Sequence, residues 1–280
     1  MDHPRNVSDV RRVHWSGHTD RGHVRANNED SFLALRFNAQ ELDYLGKVGE
    51  SPTGPHDYLF AVSDGMGGAH AGEFASRIAV EKITRLLPRS FKHTALGMDA
   101  GFEDIFEELF EQIHKALVFV GGGDEETHNM QATLSLCWFT PGWMYFAHIG
   151  DSRIYYLPKG AAEMKQLSHD DTFVGWLQRT GQVNEREARH HPRRTALQKA
   201  LGGGNQFVDP HVGAVALEPG DTFVLCSDGL TEGLYDAQIF EFLRYPDALV
   251  SNLPPARRLV EASLERAGKD NTTAVVVEMQ

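Results

Sequence analysis

Residues 57–68 read DYLFAVSDGMGG. The apolar run Tyr58–Val62 is too short for a helix and ends abruptly at Ser63-Asp64-Gly65. It reads as a short buried strand that delivers Asp64 to its tip, with Gly65 free to turn sharply and approach a ligand. Residues 222–229, TFVLCSDG, repeat the design and deliver Asp228 before Gly229. A third strand, ending YFAHIG, delivers Asp151, and the turn Gly268-Lys269-Asp270-Asn271 precedes the β-branched run 272–279.

An Asp-Gly at a single strand end is usually a turn. Four acidic strand ends in one chain carry a second reading. If they converge, their mutual repulsion calls for a cation, and an all-oxygen donor set without Cys or His suits Mg²⁺ or Mn²⁺. Two such ions sharing an aspartate would stand ~3.5–4 Å apart and could hold a hydroxide for attack on phosphorus.

Strands are expected at 13–19, 31–37, 57–63, 131–140, 143–149, 153–158, 212–217, 221–227 and 272–279. Residues 37–56 read as a loop. Helical spacing of apolar residues places helices at 72–87 (Ala75, Ile78, Ala79, Ile83, Leu86) and at 101–118 (Phe102, Ile105, Phe106, Leu109, Ile113). Further helices are expected near 174–179 and at 255–267, with Gly268 as a stop. Residues 170–204 are polar and irregular. Strands joined by tight turns, with the helices grouped apart, give an α+β fold with antiparallel sheets rather than a parallel βαβ sheet.

The chain has 280 residues, 41% of them hydrophobic and 24% charged, as a folded protein should. Residues 1–12 read as a flexible tail and 13–280 as a single domain. With 27 Lys and Arg against 39 Asp and Glu, the net charge of −12 argues against nucleic-acid binding. No apolar run approaches the ~18 residues of a membrane helix, and the N-terminus has no secretory h-region. The expectation is a soluble, cytoplasmic monomer. Cys137 and Cys226 lie in apolar runs and read as buried reduced thiols.

The segment Arg25-Ala26-Asn27-Asn28-Glu29-Asp30 leaves two readings level. Arg25 is either a fork for two phosphate oxygens or a surface arginine paired with Glu29 or Asp30.

Taken in order, R-x-x-N-E-D at 25–30, D-G-M-G-G at 64–68, G-D-S-R at 150–153, S-D-G at 227–229 and D-N-T-T at 270–273 resemble the metal-dependent protein phosphatase family (PPM, protein phosphatase 2C-like), in its bacterial form. Gly72-Glu73, Ala132-Thr133-Leu134, Leu167 to Asp170 and Ala200-Leu201-Gly202 agree. The resemblance runs from about His14 to Glu278.

It implies a four-layer αββα sandwich of two antiparallel sheets flanked by helices, with a flap at about 170–194. It also implies hydrolysis of phosphoserine and phosphothreonine by a metal-bridged hydroxide, with two core Mn²⁺ or Mg²⁺ ions and a third, looser one. On this resemblance Asp64 bridges the core ions and Gly65 offers a backbone carbonyl. Asp228 and Asp270 complete the first site, Glu29 and Asp30 order the waters of the second, and Asp151 serves the third. Arg25 clamps the substrate phosphate, and Asn271 orients Asp270. The implied partners are phosphorylated proteins, including a Ser/Thr kinase or its substrates.

Three departures stand out. Met66 occupies the place of a histidine common in eukaryotic relatives, so another group protonates the leaving oxygen; His70 is nearby but reads as structural or solvated. Ala69-His70 lie between the glycines and Gly72-Glu73. Gln131 replaces a usual glycine. The alternative from another class, a catalytically silent phosphoprotein-binding module, would be expected to lack an aspartate or Arg25, and none is missing. A haloacid-type phosphatase would need Asp-x-Asp, which Asp64-Gly65-Met66 does not supply.

Overall fold

A computed structural model describes residues 10–68, 70–95, 101–123, 129–204 and 208–280, the side chains of 88–95 excepted. Ala69 and residues 1–9 of the expected tail lie outside the described residues. Two antiparallel sheets face each other. One carries β1 (Arg12–Asp20), β4 (Val48–Pro52), β9 (Arg153–Leu157), β10 (Lys165–Gln166), β13 (Thr222–Cys226) and β14 (Thr272–Met279), in the order β10-β9-β13-β14-β1-β4. The other holds β2 (Asp30–Phe37), β3 (Leu42–Tyr44), β5 (Asp57–Met66), β6 (Gln131–Ala132), β7 (Leu134–Thr140), β8 (Trp143–Ile149), β11 (Leu201–Gly202) and β12 (His211–Ala216).

Helices α1 (Ala71–Ala95) and α2 (Phe102–Gly121) cover the second sheet. Helices α5 (Asp228–Gly233), α6 (Asp236–Arg244) and α7 (Pro255–Leu264) cover the first. This is the expected αββα sandwich, and it explains the unbroken apolar runs. In β5, Leu59 and Ala61 pack toward α1 and α2, while Tyr58, Phe60 and Val62 pack between the sheets. In β14, Val275 and Val277 face the sheet interface, and Ala274 and Val276 face α7. A strand covered on both sides has no solvent face and therefore shows no alternation. Each large side chain so buried contributes roughly 1.5–3 kcal/mol.

Several expectations need correction. Residues 37–56 are not simply a loop, because β3 extends the hairpin of β2 and β4 crosses to pair with β1 in the other sheet. The tail does not run to residue 12. Val10 is buried, and the Arg11 and Arg12 amides donate to the Gln280 carbonyl at 2.6 and 2.7 Å. The stretch after Asp170 holds the expected helix, α3 (Phe173–Arg179), and also an unexpected one, α4 (Glu185–Arg189), each opened by a side-chain cap, Thr172 and Asn184. Gln131 raises no backbone difficulty, since it sits in β6 opposite Met66 and Gly202.

Candidate active site

The tips of β5, β8 and β13 and the turn before β14 open on one cavity of about 350 Å³. Asp64, Asp151, Asp228 and Asp270 line it, together with Arg25 and Glu29 from the β1–β2 connection. Register delivers them. Asp30 opens β2 directly opposite Asp64 in β5, and Cys226, two residues before Asp228, pairs with both Arg153 and Ala274.

The turn at Asp64 is tightly specified. Its amide donates to Thr133 Oγ1 at 3.0 Å, its carbonyl accepts from the Thr133 amide at 2.9 Å, and Thr133 Oγ1 meets Ser152 Oγ at 2.7 Å beside Asp151. A hydroxyl bridge thus ties two acidic turns. The Gly65 amide donates to the Glu29 carbonyl at 3.1 Å, and a Cβ on Gly65 would overlap the Gly72 carbonyl at the start of α1. Only glycine lets the helix come this close.

Asp30 does not line the cavity. It is buried behind it, with Oδ2 accepting from Ser227 Oγ at 2.7 Å. Asn271 also departs from its expected role. Its side chain donates to the Arg21 and Asn27 carbonyls and accepts from the Glu29 amide at 2.7 Å, so it holds the Arg25 loop; its backbone amide, rather than its side chain, meets Asp270 Oδ1 at 2.8 Å. The Arg25 alternatives resolve toward neither Glu29 nor Asp30, because Nη2 binds Asp270 Oδ2 at 2.7 Å. Met66 lines the cavity, whereas His70 is exposed.

Negative charge accumulates here beyond what Arg25 offsets. Burial first, then Asp30, Asp228, Asp151 and Asp270, pushes the Asp64 carboxyl well above the carboxylate range. Burial, then Asp151 and Asp270, does the same to Asp228. Burial, then Asp170, lifts Asp151 to about 7, and burial lifts Asp30 to about 6. Glu29 is raised, chiefly by burial. Among the described residues, no three His, Cys, Asp or Glu side chains are gathered closely enough to form a closed cage for an ion. Two buried oxygens, Asp30 Oδ1 and Asp228 Oδ1, have no hydrogen-bond partner. An orphaned carboxylate oxygen at the cavity (Asp228) and another just behind it (Asp30), beside further cavity carboxylates, are what hard divalent cations satisfy, so the donor set fits such ions.

The flap is expected at about 170–194, and two residues just beyond that range add to the site. Thr195 and Leu197 reach the cavity wall. Arg189, at the end of α4, is committed to structure. It donates to the Glu232 and Leu234 carbonyls at 3.1 and 2.8 Å and stacks 3.7 Å over Tyr235. Arg194 pairs with Glu232 at 3.0 Å, and Arg193 stacks over Phe173.

The family model described as protein phosphatase 2C matches residues 43–267. The serine/threonine protein phosphatase PstP of Mycobacterium tuberculosis is 32% identical over 95% of this chain. That match covers 45% of PstP, so the chain spans about half the length of this relative. The serine/threonine phosphatase stp of Listeria innocua is 32% identical, with 95% of this chain and 96% of that protein covered. The catalytic domain of PstP, solved with two manganese ions, superposes with a TM-score of 0.72 at 30% identity, covering 96% of this chain and 98% of that one.

Proposed function

This chain belongs to the protein phosphatase 2C family, and from that premise we propose that it is a metal-dependent protein serine/threonine phosphatase. One observation carries the reading: five carboxylates and one guanidinium line a single cavity, with two orphaned buried carboxylate oxygens facing shared space or lying just behind it. Asp64, Asp228, Asp270 and the Gly65 carbonyl would hold two core Mn²⁺ or Mg²⁺ ions, with Glu29 at the wall and Asp30 behind it ordering the surroundings of the second ion and Asp151 serving a third ion. Bound ions would supply a nucleophilic oxygen at neutral pH and offset phosphoryl charge.

The chain's own residues do the rest. Arg25 stands at the cavity wall, paired with Asp270, and it stays protonated because Asp270 raises it further. It would bind two phosphate oxygens and orient phosphorus for in-line displacement. Thr133 and Ser152 fix the turns of Asp64 and Asp151, so the carboxylates need little reorganisation. Both cysteines are buried and free, and burial pushes their thiols up, Cys226 to about 12, so neither serves as a nucleophile.

The substrates on this reading are phosphorylated proteins, and the chain reverses a Ser/Thr kinase as a cytoplasmic monomer. No helix among the described residues is long and apolar enough to cross a membrane. The test is hydrolysis of p-nitrophenyl phosphate and a phosphothreonine peptide by metal-stripped protein titrated with Mn²⁺ and Mg²⁺, alongside Asp64→Asn. Metal-dependent turnover that disappears in the variant supports the proposal. Metal binding without turnover on either substrate overturns it in favour of a phosphoprotein-binding module.

A further inference from the structure

His148 is fully buried one strand position before Ile149, outside the set of cavity carboxylates. Its Nε2 lies 3.1 Å from the Gly150 carbonyl and 3.0 Å from the His169 carbonyl. Both partners only accept, so Nε2 carries the hydrogen and bridges them. On the adjacent strand Ser135 sits directly opposite His148, and its Oγ lies 2.9 Å from Nδ1, where it donates. Burial holds the ring neutral, with its pKa at about 4.

The two bridged carbonyls belong to different parts of the molecule. Gly150 precedes Asp151 in a turn at φ +110°, where a Cβ would meet Thr133 Cγ2 at 2.6 Å. His169 opens the flap. Around the imidazole the same two segments are sewn together repeatedly. The Asp171 amide donates to the Gly150 carbonyl at 2.7 Å, and the Gly150 amide donates to Asp171 Oδ2 at 3.0 Å. Arg153 grips Asp170 with Nε and Nη2 at 2.9 and 2.7 Å. The far end of the flap returns to the same point, with the Gln198 amide donating to the Asp171 carbonyl at 2.7 Å.

We propose that His148 is a positioning residue that locks the base of the flap to the turn carrying Asp151, so that the substrate-facing flap and this cavity carboxylate are set as one unit. The inference rests on the phosphatase reading of that cavity. His148 is suited to the task because one buried N–H reaches two carbonyls from segments 19 positions apart (150 to 169), and Ser135 holds the tautomer that makes this possible. Losing it takes the donor from the His169 carbonyl and leaves the Gly150 carbonyl with the Asp171 amide alone.

The experiment compares deuterium uptake across residues 168–198 in the wild type, His148→Phe and His148→Gln, with steady-state kinetics on a phosphothreonine peptide and p-nitrophenyl phosphate at saturating Mn²⁺. In His148→Phe, uptake by 168–198 should rise about 5-fold or more while 58–62 and 272–279 stay as in the wild type. Peptide kcat/KM should fall about 10–100-fold, with the larger share in KM than for the small ester. His148→Gln, whose amide retains the N–H donors, should restore both readouts to within about 2-fold. Unchanged flap uptake in His148→Phe overturns the proposal, as does uptake rising throughout both sheets or a Gln variant that behaves like Phe. Should His148→Phe fail to fold, Ser135→Ala takes its place, with the same selective uptake expected at smaller size and wild-type uptake as the overturning result. Uptake is read without turnover. A selective flap response to His148→Phe, together with a wild type that hydrolyses neither substrate, would sink the phosphatase reading and leave the lock standing.

Discussion

Arg25 and Asp270, 245 residues apart in sequence, meet through an Nη2–Oδ2 ion pair of 2.7 Å. The pair is exposed, 49% at the arginine and 26% at the aspartate, so it adds little to stability. Its importance is positional, because it holds the guanidinium at the cavity wall. Arg25→Ala should therefore lower kcat/KM for a phosphopeptide by about 10–100-fold, the equivalent of roughly 1.5–3 kcal/mol for a charged hydrogen bond. The melting temperature should barely move. Arg25→Lys should recover only part, since an ammonium cannot fork. Kinetics and thermal melts on the three proteins check this.

Asp64 invites a test of stability as well as activity. Its carboxyl is raised by burial and then by four aspartates, so its ionised form works against folding when no cation is present. Metal-free Asp64→Asn should melt higher than metal-free wild type at pH 8, while its activity with Mn²⁺ falls more than about 100-fold. Calorimetry in chelator and turnover in Mn²⁺ give the two halves. A variant that is both inactive and less stable without metal would contradict the electrostatic account.

The same crowding sets a pH dependence for the metal-free protein. Folded Asp151 sits at about 7 against an unfolded value near ~3.9, so the folded state holds more protons and stability falls as pH rises through that window. Buried His148 and half-buried His211, both at about 4, act oppositely below about pH 6.5, where the unfolded chain takes up their protons. Above that point the histidines no longer contribute. The melting temperature in chelator should accordingly decline from pH 6.5 toward 8, less steeply in Asp151→Asn, and saturating Mn²⁺ should flatten it.

The flap arginines should separate by role. Arg189 lies under two carbonyls and over Tyr235, so Arg189→Ala should cost about 1–3 kcal/mol, measured by denaturant titration. Arg193 and Arg194 are exposed at the flap surface. Neutralising both should raise KM for a phosphoprotein and leave KM for p-nitrophenyl phosphate unchanged; equal effects on the two substrates would remove any role in recognising protein.

Much of this architecture could be read from the chain because the informative elements are strongly marked. Strands buried on both faces, such as 57–66 and 272–279, are dense in apolar residues, and an acid placed abruptly at their tips stands out. The pieces that escaped are short and polar. Strand β4 is mostly exposed and owes its place to pairing with β1, and α4 spans Glu185–Arg189 with a single buried residue, Ala188. Neither carries enough periodicity to register. The role of Asn271 was misassigned for a related reason: sequence adjacency pointed to Asp270, whereas its side chain reaches residues about 250 positions away. The Thr133–Ser152 bridge depends on two turns from neighbouring strands, and only the folded sheet brings them together.

Strand β14 lies between β13 and β1 in the middle of its sheet, and Asp270 stands at its entrance. During synthesis, β1 emerges first and must wait for β14 before either can be satisfied. A nascent chain stalled anywhere short of residue 272 would hold two half-sheets with open edges and a cavity lacking one wall. Such a fragment could neither close its core nor assemble the acidic ring, so truncated products would be inert and exposed to proteolysis rather than partly active. Placing β14 in the centre makes synthesis through residue 279 the condition for a working site.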